Sequence, residues 1–260
     1  MNRASSGSGR IWHYVAKEAT SVSAVLQNHF SLDPQQSGDL LRLGAIYSNK
    51  RRVFEDRPLA KGAYLRLHLK PKRFAVDKVD WHTSRVRETS DFLIVHKPAG
   101  IPLHASLDNA VENVLERLRE ETRQPLYVTG RLDTPVAGLV VLAKTPDFQK
   151  RFNHLLAHRE VVKQYRALSE NAVPVGKLVH YMAPSERAPR QVSTEQTPGS
   201  QICELEVHSG EALDFDGRRV WESLLTLHTG RTHQIRAQLG AIGSPILGDR
   251  MYGSRAGYPV

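Results

Sequence analysis

The 260-residue sequence has a single cysteine, Cys203, which excludes a disulfide within one chain and a zinc site built from cysteines. A reducing compartment, cytoplasmic or organellar, is the natural setting for such a chain. No stretch approaches the roughly 18 consecutive apolar residues of a membrane-spanning helix, so no membrane partner is expected. Also missing are an internal repeat, both common glycine-rich phosphate loops, and a serine or cysteine set in a nucleophile elbow. A nucleotide-binding fold of either familiar type and an elbow hydrolase are therefore poor fits.

Positive charge is what the sequence has in excess. Lys and Arg total 36 against 27 Asp and Glu, a formal net charge of +9 that favours a polyanionic partner such as RNA. The excess is concentrated: Lys50, Arg51, Arg52, Arg57, Lys61, Arg66, Lys70, Lys72 and Arg73 share one window, opposed only by Glu55 and Asp56. Around this window the pattern predicts a helix over 39–43, a short strand over 45–49, a basic turn, and a strand over 63–69 in which Leu65, Leu67 and Leu69 alternate with polar residues. Residues 21–76 are thus expected to form a small module with Lys50, Arg51, Arg52, Lys72 and Arg73 as RNA contacts. The Ser- and Gly-rich start, 1–20, is expected to be flexible, and the polar stretch 77–90 to be a linker.

A larger domain over 91–260 is expected to follow. Its pattern is an apolar strand from Phe92, a turn at Lys97-Pro98-Ala99-Gly100, and a helix with Val111, Val114, Leu115 and Leu118 on one face, capped by Asn109 with Glu112 three residues on. A strand over 139–143 leads to a helix opened by Thr145-Pro146, whose stripe of Phe148, Phe152, Leu155 and Leu156 reads as core. Further strands are expected over 161–169, 201–208 and 219–228, with a loop over 184–200. The fold class is α+β, with a mixed, largely antiparallel sheet flanked by helices.

Two segments carry candidate chemistry. Asp133 stands between Leu132 and the turn-forming Thr134-Pro135, just before an apolar strand, so its carboxylate would emerge at a sheet edge. Gly230-Arg231-Thr232-His233-Gln234-Ile235-Arg236 places strong hydrogen-bonding side chains at a helix start, and Arg236 could fork onto a carboxylate and hold it ionised. Tyr165 shares a strand face with Lys163 and could stack on an extruded base. The structural alternatives stand beside these: Asp133 as a turn-maker, Arg236 in a structural ion pair, His233 as a satisfied half-buried histidine, Tyr165 as packing.

Residues 230–253, Gly-Arg-Thr-His-Gln-Ile-Arg-Ala-Gln-Leu-Gly-Ala-Ile-Gly-Ser-Pro-Ile-Leu-Gly-Asp-Arg-Met-Tyr-Gly, resemble the longest signature of the RluA-type RNA pseudouridine synthases. Ile94-Val95-His96-Lys97-Pro98-Ala99-Gly100, Arg131-Leu132-Asp133 with Gly138, and Lys163 with Tyr165 and Ala167 match that family in the expected order. Residues 41–53, Leu-Arg-Leu-Gly-Ala-Ile-Tyr-Ser-Asn-Lys-Arg-Arg-Val, are more loosely similar to the alpha-L RNA-binding module shared with a small-subunit ribosomal protein. The resemblance implies the pseudouridine synthase fold and conversion of uridine to pseudouridine in ribosomal or transfer RNA by base flipping, with neither cofactor nor metal; nothing in the sequence suggests an obligate assembly, so a monomer is expected. It implies that Asp133 is the catalytic aspartate, that Tyr165 contacts the flipped uracil, and that Arg236 pairs with the aspartate. Arg131 would help extrude the base and fill the vacated stack, and Arg231 and His233 would contact RNA.

Several positions depart from the family's pattern. Gly130 stands where the family usually has histidine and Val136-Ala137 where it has Thr-Ser, so loop hydrogen bonds are missing or rerouted; Gln238 and Ser244 stand where it has histidines. Family members also commonly continue with further strands past the final Tyr-Gly, which implies that the sheet is completed differently or that the chain is truncated. The alternative to an enzyme is a catalytically inactive, synthase-like RNA-binding or RNA-folding protein. Loss of Asp133 or Arg236 would mark that class, and both are present. A hydrolase using Asp133 and His233 is a third class.

Overall fold

The computed structural model describes residues 11–185 and 187–256, and the chain divides into two compact units, 1–150 and 151–260. Half of the expected flexible start, 1–10, lies outside the described residues. From residue 11 the expectation is corrected: Ile11–Val15 is a strand, because Trp12 and Tyr14 alternate inward onto an apolar core.

The first unit opens with β1 (Ile11–Val15), β2 (Thr20–Ser21), α1 (Val22–Phe30), α2 (Pro34–Arg42), β3 (Ile46–Ser48), β4 (Arg51–Val53), β5 (Pro58–Leu59) and β6 (Tyr64–His68). Local signals explain the boundaries. The Asp33 side chain accepts from Gln36 N–H while Gln36 returns a bond to Asp33, and Pro34 supplies a helical φ at the first turn of α2. β3 and β4 are joined by Asn49-Lys50, both left-handed (φ 48° and 66°), as a two-residue hairpin turn with right-handed twist demands. The four-stranded sheet runs β1-β6-β3-β4, antiparallel throughout. One face, with Leu65, Leu67, Ile46 and Val53, closes over Val22, Leu26, Leu40 and Leu43.

The expected linker is not one. Val76 is buried, Val79 and Trp81 pack beside it, and Arg85–Glu88 forms β7, the edge strand of a second sheet. β7 is mostly exposed and polar, so its pairing is made by backbone alone and leaves no apolar alternation to read. The sheet continues with β8 (Phe92–Lys97), β9 (Tyr127–Val128) and β10 (Gly138–Ala143) in the order β7-β8-β10-β9. α3 (Val114–Thr122) covers its core, capped by Asn113 rather than Asn109. Asn109 caps the preceding turn instead, accepting from the N–H groups of Val111 and Glu112.

α4 (Pro146–Ala157) starts at the expected place but buries no residue. Phe148 and Phe152 are half-buried and Leu155 is exposed, so this stripe is not core; Phe148 stacks on Phe92 at 5.1 Å between centroids. The second unit has β11 (Gln164–Ser169), β12 (Gly176–Met182), β13 (Val192–Ser193), β14 (Gln201–Phe215), β15 (Arg218–Leu227) and α5 (Gln234–Ala241). Its sheet runs β11-β15-β14-β12-β13 around a core of Leu205, Val207, Leu225 and Leu239. The architecture is α+β, but every strand pairing among the described residues is antiparallel, so the sheet is not mixed.

Candidate active site

The Asp133 loop is held from below by a buried cation. Lys97, at the end of β8, is 0% exposed, and its Nζ donates to the carbonyls of Pro98 (2.8 Å), Ile101 (2.7 Å) and Thr134 (3.0 Å). The Thr134 carbonyl also accepts from Gly100 N–H at 2.8 Å, and Val136 N–H closes the turn onto the Asp133 carbonyl at 3.0 Å. Burial pushes the Lys97 ammonium down to about 8, with the Asp133 carboxylate pulling the other way. Leu132 packs on the core of the second sheet. The loop thus fixes Asp133 from both sides and leaves it half-exposed, beside an exposed Arg131. Nothing lies within 4 Å of where a Cβ at the exposed Gly130 would stand, so crowding does not require glycine there.

Arg236 and Tyr165 belong to the second unit. Arg236, on α5, forks onto the buried carboxylate of Asp249: Nε to Oδ2 is 2.6 Å and Nη2 to Oδ1 is 3.0 Å. The guanidinium also lies 5.0 Å from the centroid of the Tyr252 ring, whose hydroxyl meets His233 Nδ1 at 2.9 Å and accepts from Arg190 N–H at 2.8 Å. His233 itself is left-handed (φ 58°) at the N-terminal boundary of α5. A side-chain ladder carries the helix start. The Gln234 amide oxygen accepts from the Thr229 hydroxyl and from Arg231 N–H, and its nitrogen donates to Gln238. The Gln238 nitrogen meets His180 Nδ1 and the carbonyls of Leu178 and Cys203 at 3.1–3.2 Å. Gln238 thus sits in a buried hydrogen-bond network.

Tyr165 is half-buried on β11 opposite Leu225 and packs on the core of its sheet. Lys163 precedes it; burial, and then Arg159, hold its ammonium below the usual lysine range. Asp249 and Lys97 went unnoticed as site residues in the sequence. The signal for Asp249 was a carboxylate 13 positions after Arg236 in the same signature, and for Lys97 a basic residue ending an apolar strand.

The basic window divides in two. Arg52 donates to the carbonyls of Gly44 (2.7 Å) and Ser106, and Arg73 forks onto the buried Glu112 through Nε (2.9 and 3.1 Å) and Nη2 (2.7 Å). Burial raises the Glu112 carboxyl, but Arg73, Phe74 N–H and Asn109 outweigh it and hold the group below its usual range. These two arginines, expected as RNA contacts, both bond to internal acceptors, and Arg73 is also exposed. Lys50 and Arg51 are exposed, as is Lys72, whose backbone N–H donates to Asp108. In the second unit Arg231 is exposed, with a long 3.4 Å bond to Ile202 O.

A close packing contact supports the Arg236 cluster. A Cβ on Gly240 of α5 would stand 2.7 Å from the Tyr252 carbonyl oxygen. Gly240→Ala is expected to cost about 1–3 kcal/mol, read as a lower denaturant midpoint, because backbone rather than a flexible side chain fills the space. An unchanged midpoint would show that the turn carrying Tyr252 yields freely.

Among the described residues no group of His, Cys, Asp and Glu could hold a metal ion, and no helix is long and apolar enough to cross a membrane. The antiparallel α+β architecture is that of pseudouridine synthase domains. Two human structures titled RNA Pseudouridylate Synthase Domain Containing 4 and 1 match with TM-scores of 0.58 each, at 21% and 22% identity, covering 69% and 71% of this chain and 74% and 73% of theirs. The family model described as RNA pseudouridylate synthase matches residues 91–241, and the chain belongs to that family. Relatives include the proteins named RNA pseudouridine synthase 6, chloroplastic, of rice (29% identical, 94% of this chain, 64% of the relative) and of Arabidopsis thaliana (35%, 74%, 45%). Ribosomal large subunit pseudouridine synthase D of Yersinia pestis is 31% identical over 65% of this chain and 52% of its own length. The chain thus spans between about half and two thirds of the length of these relatives.

Proposed function

We propose that the chain is an RNA pseudouridine synthase that isomerises uridine in structured ribosomal or transfer RNA. The observation that carries this is the Asp133 loop: its backbone is pinned by Lys97 and Gly100 through one carbonyl, in a chain whose family performs this reaction. In the proposed reaction Asp133 attacks the uridine or abstracts a sugar proton, uracil detaches, turns, and rejoins the ribose through C5. The substrate supplies every atom of the product, and no cofactor takes part.

Arg131, exposed on the same loop, suits insertion into the stack that the base vacates. Tyr165 is assigned to the flipped uracil and Arg236 to the aspartate, with Arg231 and His233 as RNA contacts. Extruding a base costs a few kcal/mol, which contacts from the exposed Lys50, Arg51 and Lys72 to phosphates help offset. Residues 21–76 act as an alpha-L RNA-binding module, and the protein works as a monomer. The names of the two plant relatives favour an organelle over the cytoplasm. Mapping pseudouridines in ribosomal and transfer RNA from cells with and without the gene tests the proposal. The expected result is loss at one or a few uridines; identical maps would refute it.

A further inference from the structure

The outer face of the N-terminal sheet carries an ordered row of side chains. By register His13 on β1 lies beside Arg66 on β6, Arg66 beside Tyr47 on β3, and Tyr47 beside Arg52 on β4. The Tyr47 ring is held between the guanidiniums of Arg66 (4.2 Å) and Arg52 (4.9 Å). One half of this face is closed by the segment around Ser106 and Leu107: Arg52 donates to the Ser106 carbonyl and the Tyr47 hydroxyl to that of Leu107 at 2.8 Å.

The other half is open. Tyr64, two residues before Arg66 and on the same face, is 37% exposed and lies flat beside the exposed His13, with ring centroids 5.8 Å apart and planes within 22°. A His13–Tyr64 hydrogen bond fixes the pair, and the exposed Val15 extends it. Arg66 shares this face and Lys50 lies in the neighbouring turn, and neither has an ion pair among the described residues. Asn49 N–H bonds to the Tyr64 carbonyl, so the Asn49-Lys50 turn abuts the stack. Lys50 occupies that turn at φ 66°, a conformation in which glycine is at ease and a lysine is strained.

We propose that this open half, His13, Tyr64, Arg66 and Lys50, is a stacking platform for unpaired nucleotides of the RNA substrate. The proposal rests on the RNA-modifying function above and adds a binding mode to it. Flat, exposed rings beside unneutralised cations suit bases that are free to splay and phosphates that follow them; bases in a duplex offer no free face. Lys50 is kept in a strained turn for its charge.

The test uses the full chain and a fluorescent oligouridylate of about twelve nucleotides, single-stranded or annealed into a duplex. Tyr64→Ala is expected to weaken binding of the single strand about tenfold and leave duplex binding within about twofold, while Tyr64→Phe, which keeps the ring but loses the bond to His13, is expected to lose less than Tyr64→Ala. Lys50→Gly is expected to lower affinity without lowering the melting temperature, since strain is released as charge is lost. Unchanged single-strand binding in Tyr64→Ala, equal losses on both probes, or unchanged affinity in Lys50→Gly would each overturn the proposal. Pseudouridine formation is scored on the same preparations. If the wild type modifies RNA while Tyr64→Ala binds normally, the platform fails and the synthase function stands. If the selective loss is seen but the wild type modifies nothing, the reverse holds.

Discussion

Asp133→Asn is expected to abolish pseudouridine formation while leaving the protein folded and able to bind RNA. The substitution keeps the shape of the side chain and removes its charge. The loop is pinned within its unit through the backbone carbonyls of Asp133 and Thr134 and through the packing of Leu132, and asparagine leaves all three in place. A nucleophile or base is lost, however, and a rate loss of about a thousandfold or more follows. Affinity set by exposed lysines and arginines, with its steep salt dependence, is expected to persist. Nucleoside analysis of RNA treated with each protein, together with salt titrations of binding, separates the two properties. Modification retained at even a tenth of the wild-type rate would remove Asp133 from the chemistry.

The course of the chain was legible wherever one face of an element is buried. Leu65, Leu67, Val140 and Leu142 alternate, or run together, in ways that only a strand satisfies, and the 230–253 signature marked α5 before its ends were known. What stayed hidden depended on backbone pairing or on partners remote in sequence. β7 shows no apolar alternation because its side chains face solvent. The tail of the β14–β15 hairpin was cut short although Asp216-Gly217, with φ 55° and 70°, is a strong two-residue turn signal; the polar strand ends around it masked the continuation. Arg52 and Arg73 look like their neighbours in a basic window. Only the fold brings up the Ser106 carbonyl and the Glu112 carboxylate to which they bond, and Arg73 stays exposed.

The site shows the same division. Asp133, Arg236 and Tyr165 could each be proposed from motifs, but what steadies each within its own unit could not. Asp249 reaches Arg236 across a turn whose geometry Gly248 and Gly253, both left-handed, set. Gln238 finds His180 across 58 positions. Lys97 appeared in the sequence as one more cation in a basic protein, and its burial is a tertiary fact.

Burial makes Lys97 the second position at which a large effect is expected. Lys97→Met keeps the length of the side chain but leaves the Pro98 and Ile101 carbonyls without that donor; Thr134 keeps its bond from Gly100. Orphaned buried carbonyls cost about 2–4 kcal/mol together, partly offset by the desolvation cost that the charge no longer bears. A loop displaced by about 1 Å is expected to lose roughly a hundredfold in rate. The pH dependence distinguishes this from a general loss of stability. With the folded group at about 8 and the free amine at 10.5, the penalty for burying the charge is fully present below about 8 and is relieved as pH rises towards 10.5. Over that window wild-type stability should therefore improve relative to Lys97→Met. Activity should move the other way, because a neutral amine has two hydrogens for three carbonyls and loosens the loop under Asp133. A wild-type alkaline limb near pH 8 that is absent from Lys97→Met, with stability curves that diverge in the opposite sense, is the expected pattern. Parallel stability curves for the two proteins between pH 7 and 10 would mean that Lys97 does not titrate in the folded chain, and the coupling between its proton and the Asp133 loop would fall with it.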